Sequence, residues 1–184
     1  NDHRILYYGP DNLSAVKKLI LDLHNTTDLV PVEEINLNIE EEMNNNKVYV
    51  VDYDMKQAEV VMYAKGSKLN KDEFSIIMFH NEYFGGGMSS IVFQEMRESK
   101  ALAYSVYSTY TIPKEIDNSH YQFSYVGTQA DKLDDAMAGM LGLLTQMPEA
   151  NSNMENAREG VLQKIRTERI TKFKVLEYFE AARK

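Results

Sequence analysis

The sequence contains no cysteine among its 184 residues. Disulfide bonds, thiolate metal sites and a cysteine nucleophile are therefore excluded. Long apolar runs are also missing, because a segment such as Ile76–Phe79 is far shorter than the roughly 20 residues of a transmembrane helix. These absences predict a chain that does not span a membrane.

Basic residues are fewer than acidic residues in this sequence. The sequence has 20 basic and 28 acidic residues, which gives a formal net charge of −8. A nucleic-acid-binding protein normally carries a basic patch, because neutralising phosphates supplies most of its affinity. The one Arg/Lys-dense stretch, Arg158–Lys174, also contains glutamates and is interpreted as a solvated helix face. Nucleic acid is therefore not an expected partner.

The length and composition are those of one globular domain covering residues 1–184. Apolar residues make up 43% of the chain and charged residues 26%, which is ordinary for a folded domain. The chain begins with Asn1 and shows no basic-then-apolar signal segment. We therefore expect a piece of a longer polypeptide, and the compartment (bacterial periplasm or cytoplasm) stays open.

The spacing of apolar residues predicts strands in adjacent pairs with helices grouped between them. This order is typical of an α+β fold. We predict a two-layer sandwich in which helices pack on a mixed, largely antiparallel sheet. The predicted strands are 3–8, 47–52, 57–64, 103–112 and 121–128. The predicted helices are 13–25, 69–81, 88–99, 131–147, 152–170 and 173–182, with connections at 28–46 and 113–118.

The triple glycine Gly85, Gly86 and Gly87 lies between two predicted helices. Glycines permit positive φ and the close approach of another backbone, and the following helix N-terminus could bind an anion. Nucleotide-binding fingerprints require a preceding strand or a Gly-Lys-Ser/Thr sequence, and neither is present here. The loop is therefore either a tight helix–helix corner or a backbone-binding site.

The helix after the glycines carries a stripe of Met88, Ile91, Val92 and Met96, which predicts a core-facing side. Arg97 near its end and Tyr104 near the next strand are seven residues apart and could project from one rim of the domain. Together they could offer donors to a carbonyl or a developing oxyanion. The alternative is an arginine that caps its own helix and a tyrosine packed in the sheet.

The run YFGGGMSSIVFQEMRESKALAYSV closely resembles the C-terminal half of the pitrilysin/insulinase peptidases, a group that includes mitochondrial processing peptidase. The pattern is a Gly-rich loop, a helix ending in Arg-Glu and a Leu-Ala-Tyr-Ser strand entry. Further matches, in the same order along the chain, are ILYYGP, QAEVVMYAKG and YQFSYVGTQADK. Together these matches extend over most of the chain.

The resemblance implies a two-part clamp around an extended peptide or unfolded polypeptide. In this family the N-terminal half holds zinc through His-x-x-Glu-His and a distal Glu, whereas the C-terminal half lacks the metal. The chain is thus expected to be a metalloprotease-like half with no cofactor of its own. Its partner, in cis or in trans, would be a zinc-binding half, and the chain alone would be inactive.

The same resemblance implies roles for individual residues. Tyr104 would hydrogen-bond the scissile carbonyl or the tetrahedral intermediate, and Arg97 would hold nearby substrate backbone. Gly85–Gly87 resemble a loop implicated in substrate handling. Two positions depart from the family pattern, since Ala101 stands where glycine is frequent and Ile91 where arginine is frequent.

The four histidines do not form a zinc motif. A zinc site of the inverted type needs His-x-x-Glu-His on one helix, and the closest string, His80-Asn81-Glu82, lacks the second histidine. We therefore expect His3, His24, His80 and His120 to be ordinary histidines. A Gly-x-Ser-x-Gly nucleophile elbow is also absent from the sequence.

Two alternatives to a peptidase half remain open at this point. The first is a non-catalytic scaffold or assembly subunit of the same fold. The second is a stand-alone anion-binding module built on the glycine corner.

Overall fold

The computed structural model describes residues 4–24, 40–68, 70–113 and 118–183. The chain forms two compact units, one made of Asn1–Ile39 and Glu168–Lys184 and the other of Glu40–Thr167. No helix in the described ranges is long and apolar enough to cross a membrane.

The described residues of the smaller unit contain two helices, α1 (Leu13–Leu23) and α5 (Val175–Arg183). The side chain of Asn12 caps α1 by accepting a hydrogen bond from the backbone N–H of Ser14 at 2.9 Å. In the same unit, the guanidinium of Arg4 pairs with the carboxylate of Glu180 in α5.

The predicted strand 3–8 is wrong for residues 4–8, which form no strand, and His3 lies outside the described residues. Side chains of this segment such as Ile5 and Tyr8 are exposed. A strand is stabilised by packing on a half-buried pleated surface and by a paired neighbour, and this segment has neither in the described part of the chain.

The larger unit is built on a three-stranded sheet of β1 (Gln57–Lys68), β2 (Ser105–Tyr110) and β3 (Ser119–Gln129). The spatial order is β1-β3-β2, and both pairings are antiparallel. Val126 in the central strand lies opposite Val60 on one side and Val106 on the other. The predicted α+β fold with helices on an antiparallel sheet is thus confirmed.

The predicted strand 47–52 is wrong. The segment has no regular structure, and Val48 and Val51 are 87% and 83% exposed. The β-branched and aromatic residues that suggest a strand here act by packing against cross-strand neighbours. Without such neighbours their preference does not produce a strand.

Four helical segments pack around the sheet. Their order agrees with the prediction, although their ends are shifted and Leu69, the predicted start of the second helix, lies outside the described residues. They are α2 (Phe74–Phe84), the π-helix Phe93–Ser99 that follows Ile91 and Val92, α3 (Leu133–Thr145) and α4 (Asn151–Thr167). Pro148 lies between α3 and α4.

The core lies between the helices and one face of the sheet. Val92, Met96, Val126 and Met140 are almost completely buried there. Met88 is 76% exposed, so its predicted place in the buried stripe is wrong. The helical segment starts only after Met88, and this residue therefore does not share the face of Ile91, Val92 and Met96.

The other sheet face carries stacked aromatic rings. Tyr63 on β1 stacks on Tyr121 with a centroid distance of 4.6 Å, and Tyr107 on β2 stacks on Tyr125 at 5.3 Å. Cross-strand aromatic pairs of this kind stabilise a sheet beyond the area they bury.

Candidate functional site

The glycine loop packs α2 against the sheet. A Cβ added at Gly85 would lie 2.2 Å from the carbonyl oxygen of Ser108 in β2, and the N–H of Ser108 donates to the carbonyl of Gly85 at 3.3 Å. Gly85 is therefore required by a close approach of two backbones, not by positive φ, which no described glycine shows. Gly87 has room for a Cβ, whose nearest contact would be Glu82 at 3.5 Å.

Tyr104 lies immediately before β2, at the edge of the sheet. Its backbone N–H donates to the carbonyl of Gly127 in β3 at 2.9 Å, which fixes the start of β2. The residue is 54% exposed. The phenol is therefore at the surface, unlike a tyrosine packed within the sheet.

Arg97 lies on the π-helix that ends beside this edge. Its guanidinium stacks over the ring of Phe93 at 5.0 Å and makes a loose ion pair with Glu98 at 3.9 Å. About half of its side chain remains accessible. The exposed donors are thus available to a ligand.

Arg97 and Tyr104 line the same cavity, which has a volume of about 350 Å³. The sequence predicts that both side chains project from one rim, and the structure brings them together there. The other residues that line the cavity are Glu98, Ala101, Leu102, Ala103, Thr128, Gln129 and Lys132.

Gln129, at the end of β3, is a site residue that the sequence analysis misses. Its side-chain amide N–H donates to the Tyr104 hydroxyl oxygen at 2.6 Å. Because this donor occupies an acceptor position of the phenol oxygen, the phenol O–H is directed to another acceptor. No sequence pattern could have revealed this contact, since it joins residues 25 positions apart through the β2–β3 pairing.

Two more hydrogen bonds hold the cavity wall between Arg97 and Tyr104. The buried Thr128 hydroxyl donates to the carbonyl of Leu102 at 2.6 Å, and the Lys132 ammonium donates to the carbonyl of Ala101 at 3.1 Å. The segment that joins the helix to β2 is therefore tied to the end of β3.

Ala101 adopts a left-handed conformation with φ of 48°. Glycine occupies such positions without the steric cost that a Cβ brings. The frequent glycine at this position in the family pattern thus has a conformational explanation.

The described histidines do not converge on a metal site. His120 is fully buried, stacks on Tyr110 with a centroid distance of 4.9 Å, and its Nδ1 lies 2.8 Å from the carbonyl of Thr111. Burial lowers the pKa of His80, although a hydrogen bond with Asn81 opposes this shift. Across the described residues, no group of three or more His, Asp or Glu side chains could hold a metal ion.

Comparisons with known proteins place the chain in a family. Residues 7–155 match the family described as the peptidase M16 inactive domain. The chain is 31% identical over 107 residues to an uncharacterized zinc protease, YmxG, of Bacillus subtilis (strain 168), and this match covers 56% of the chain and 25% of that relative. The chain thus spans about a quarter of its relative's length.

One solved structure is also similar. It is a peptidase M16 inactive domain from Pseudomonas fluorescens, with a TM-score of 0.48 and 18% identity over 60% of this chain and 27% of that chain. Since the family match covers most of the sequence, the predicted relationship to the pitrilysin/insulinase peptidases is confirmed. The chain belongs to the peptidase M16 inactive domain family.

Proposed function

We propose that this chain is the substrate-binding, chamber-closing half of a zinc-dependent peptidase and is inactive alone. Its substrate would be a peptide or unfolded polypeptide, and Arg97 and Tyr104 would enter an active site formed with a separate zinc-bearing half. The proposal rests on one observation, the shared cavity that Arg97 and Tyr104 line at the surface of the larger unit.

The two side chains differ in what they can do. The phenol O–H of Tyr104 can donate to the scissile carbonyl and more strongly to the oxyanion of the tetrahedral intermediate, which makes it a catalytic donor. The guanidinium of Arg97 presents a rigid fork of donors that suits substrate backbone carbonyls. We assign Tyr104 to the chemical step and Arg97 to substrate positioning.

Zinc does not fit the described residues of this chain, because their histidines and carboxylates do not cluster. We assign the metal to the partner half, where zinc would activate the attacking water. The Bacillus relative is named as a zinc protease and is about four times as long as its matched portion. Both facts agree with a zinc-binding half that lies outside the matched portion. The chain would then be a single family domain within a longer polypeptide, or would assemble with its zinc half in trans.

The glycine loop would contribute to substrate handling through Gly86 and Gly87. Gly86 is exposed, whereas Gly85 is buried against β2 and serves the packing of the loop. Exposed glycines leave backbone N–H and C=O groups accessible to an extended peptide.

The proposal is tested by Tyr104→Phe in the complete enzyme, this chain together with its zinc-bearing half. Loss of one donor to the oxyanion lowers kcat by about 10²–10³-fold and changes KM much less. Tyr107→Phe, the same substitution on an exposed tyrosine of β2 outside the cavity, is the matched control. An unchanged kcat in Tyr104→Phe would reject the proposal and favour a non-catalytic scaffold.

A further inference from the structure

The cavity beside Tyr104 contains more positive than negative charge. Arg97 and Lys132 line it together with a single carboxylate, Glu98, although the chain as a whole has a net charge of −8. Arg97 lies on the π-helix, and Lys132 lies on a short 3-10 helix, Ala130–Lys132, that precedes α3. A local positive site on an acidic chain favours one class of ligand group, an anion.

Lys132 is placed to bind such a group. Its side chain is half-buried, and within the described part of the chain it makes no ion pair and one hydrogen bond, to the carbonyl of Ala101 at 3.1 Å. An ammonium group has three N–H donors, so two remain after this contact. A half-buried cation without a carboxylate partner gains more from binding an anion than a fully solvated one does.

Arg97 is also incompletely neutralised. Its distance of 3.9 Å to Glu98 is at the limit of an ion pair, and roughly half of each side chain is accessible. The Gln129 amide and the Tyr104 hydroxyl, which lie on the same cavity wall, add neutral donors. Two cations and two neutral donors match the hydrogen-bonding capacity of a carboxylate group, and the cavity volume of about 350 Å³ leaves room for the side chain or chain end that carries it.

We infer that this cavity binds a carboxylate of the substrate close to the scissile bond, with Lys132 as the residue that determines this specificity. The inference rests on the proposed function, because the cavity borders the phenol assigned to the chemical step. The carboxylate could belong to an Asp or Glu side chain or to the C-terminus of the peptide. Both sources present the same planar, charged pair of oxygens.

The inference is tested in the complete enzyme with peptide pairs that differ in one carboxylate. Glu is compared with Gln at each position near the scissile bond, and a free C-terminus is compared with its amide. We expect the carboxylate-bearing member of one pair to be preferred by about three- to tenfold in kcat/KM, mostly through KM, as for a partly exposed charge pair. The preferred pair identifies the source of the carboxylate.

Variants of Lys132 then test its role. Lys132→Met should bring the ratio of the kcat/KM values of the two peptides close to one. Lys132→Glu should reverse the preference, and Lys132→Arg should retain it. The control is Lys100→Met, which removes the same charge from a lysine that pairs with Glu95 at 3.4 Å outside the cavity, and should leave the preference intact. Raising the salt concentration to about 1 M, where the Debye length is about 3 Å, should also weaken the preference.

The inference is overturned if no pair shows a preference, or if Lys132→Met keeps it. Failure of the proposed function has a different signature, because Tyr104→Phe would then cleave both members of a pair at the wild-type rate. If the charge preference is present but Tyr104→Phe does not change the rate, the carboxylate-binding site is supported and the catalytic role of Tyr104 is rejected.

Discussion

At the scale of single residues, the candidate site depends on contacts made at the end of β3. Tyr104 is fixed twice, through its backbone N–H by Gly127 and through its hydroxyl by Gln129. An exposed tyrosine without such contacts would sample several rotamers. The Gln129 contact holds the phenol oxygen in place at the cavity wall.

Gln129 is therefore predicted to be a positioning residue for Tyr104. Gln129→Met keeps the length of the side chain but removes the donor, and Gln129→Glu replaces the donor with a carboxylate that would accept a hydrogen bond from the phenol O–H. Each should lower kcat by about tenfold or more with little change in KM, because the donor is no longer held toward the substrate. Steady-state kinetics of the complete enzyme provide the measurement.

A double-mutant cycle separates this role from a general structural one. Adding Gln129→Met to Tyr104→Phe should cause no further loss, because the residue acts through the phenol that is already missing. Gln57→Met is the control, since Gln57 lies opposite Gln129 in the β1–β3 register and is exposed. Losses that add in full would show that Gln129 acts independently of Tyr104.

At the scale of elements, the glycine loop has a packing role that limits its functional role. Gly85 lies between α2 and β2 with no space for a side chain, whereas Gly87 has space for one. Gly86 is exposed but is also restricted, because a Cβ there would lie 2.7 Å from the carbonyl oxygen of Asn81, so Gly87 alone of the three has room for a side chain. The sequence predicts the corner but not this division, because it depends on the position of Ser108 in β2.

Gly85→Ala and Gly87→Ala are predicted to differ in stability. A Cβ at Gly85 collides with backbone atoms of β2, so the free energy of unfolding should fall by about 2–4 kcal/mol. Gly87→Ala should change the free energy of unfolding by less than about 1 kcal/mol. Urea denaturation of the isolated chain measures both values. Equal stability of the two variants would be incompatible with the packing described for Gly85.

The strands show which parts of the fold the sequence can predict. The strands at 57–64 and 121–128 are correctly predicted because their alternating side chains do pack, as Val60 and Val126 show. The segments at 4–8 and 47–52 have similar composition, but they form no strands and pair with no strand among the described residues. Local preference is expressed only where tertiary packing supports it.

At the scale of the whole molecule, the sequence predicts the family, the antiparallel α+β fold and the residues Arg97 and Tyr104. It does not predict the cavity that joins them, the Gln129 contact or the second cation, Lys132. These features arise where the π-helix, β2 and β3 meet, and no short sequence pattern encodes such a meeting point. In a two-part peptidase even less of the active site could be predicted from one half, because some of its groups would come from another domain.

We propose that Tyr104 binds the transition state of peptide hydrolysis more tightly than it binds the substrate. The most direct measurement is the affinity of the complete enzyme for a phosphinic peptide, which mimics the tetrahedral intermediate, compared with that for a non-cleavable ground-state peptide. Tyr104→Phe should weaken binding of the phosphinic peptide by about the same 10²–10³-fold factor by which it lowers kcat/KM, and should barely affect the ground-state peptide. If the two affinities fall equally, or if neither changes, Tyr104 does not stabilise the transition state and the account is contradicted.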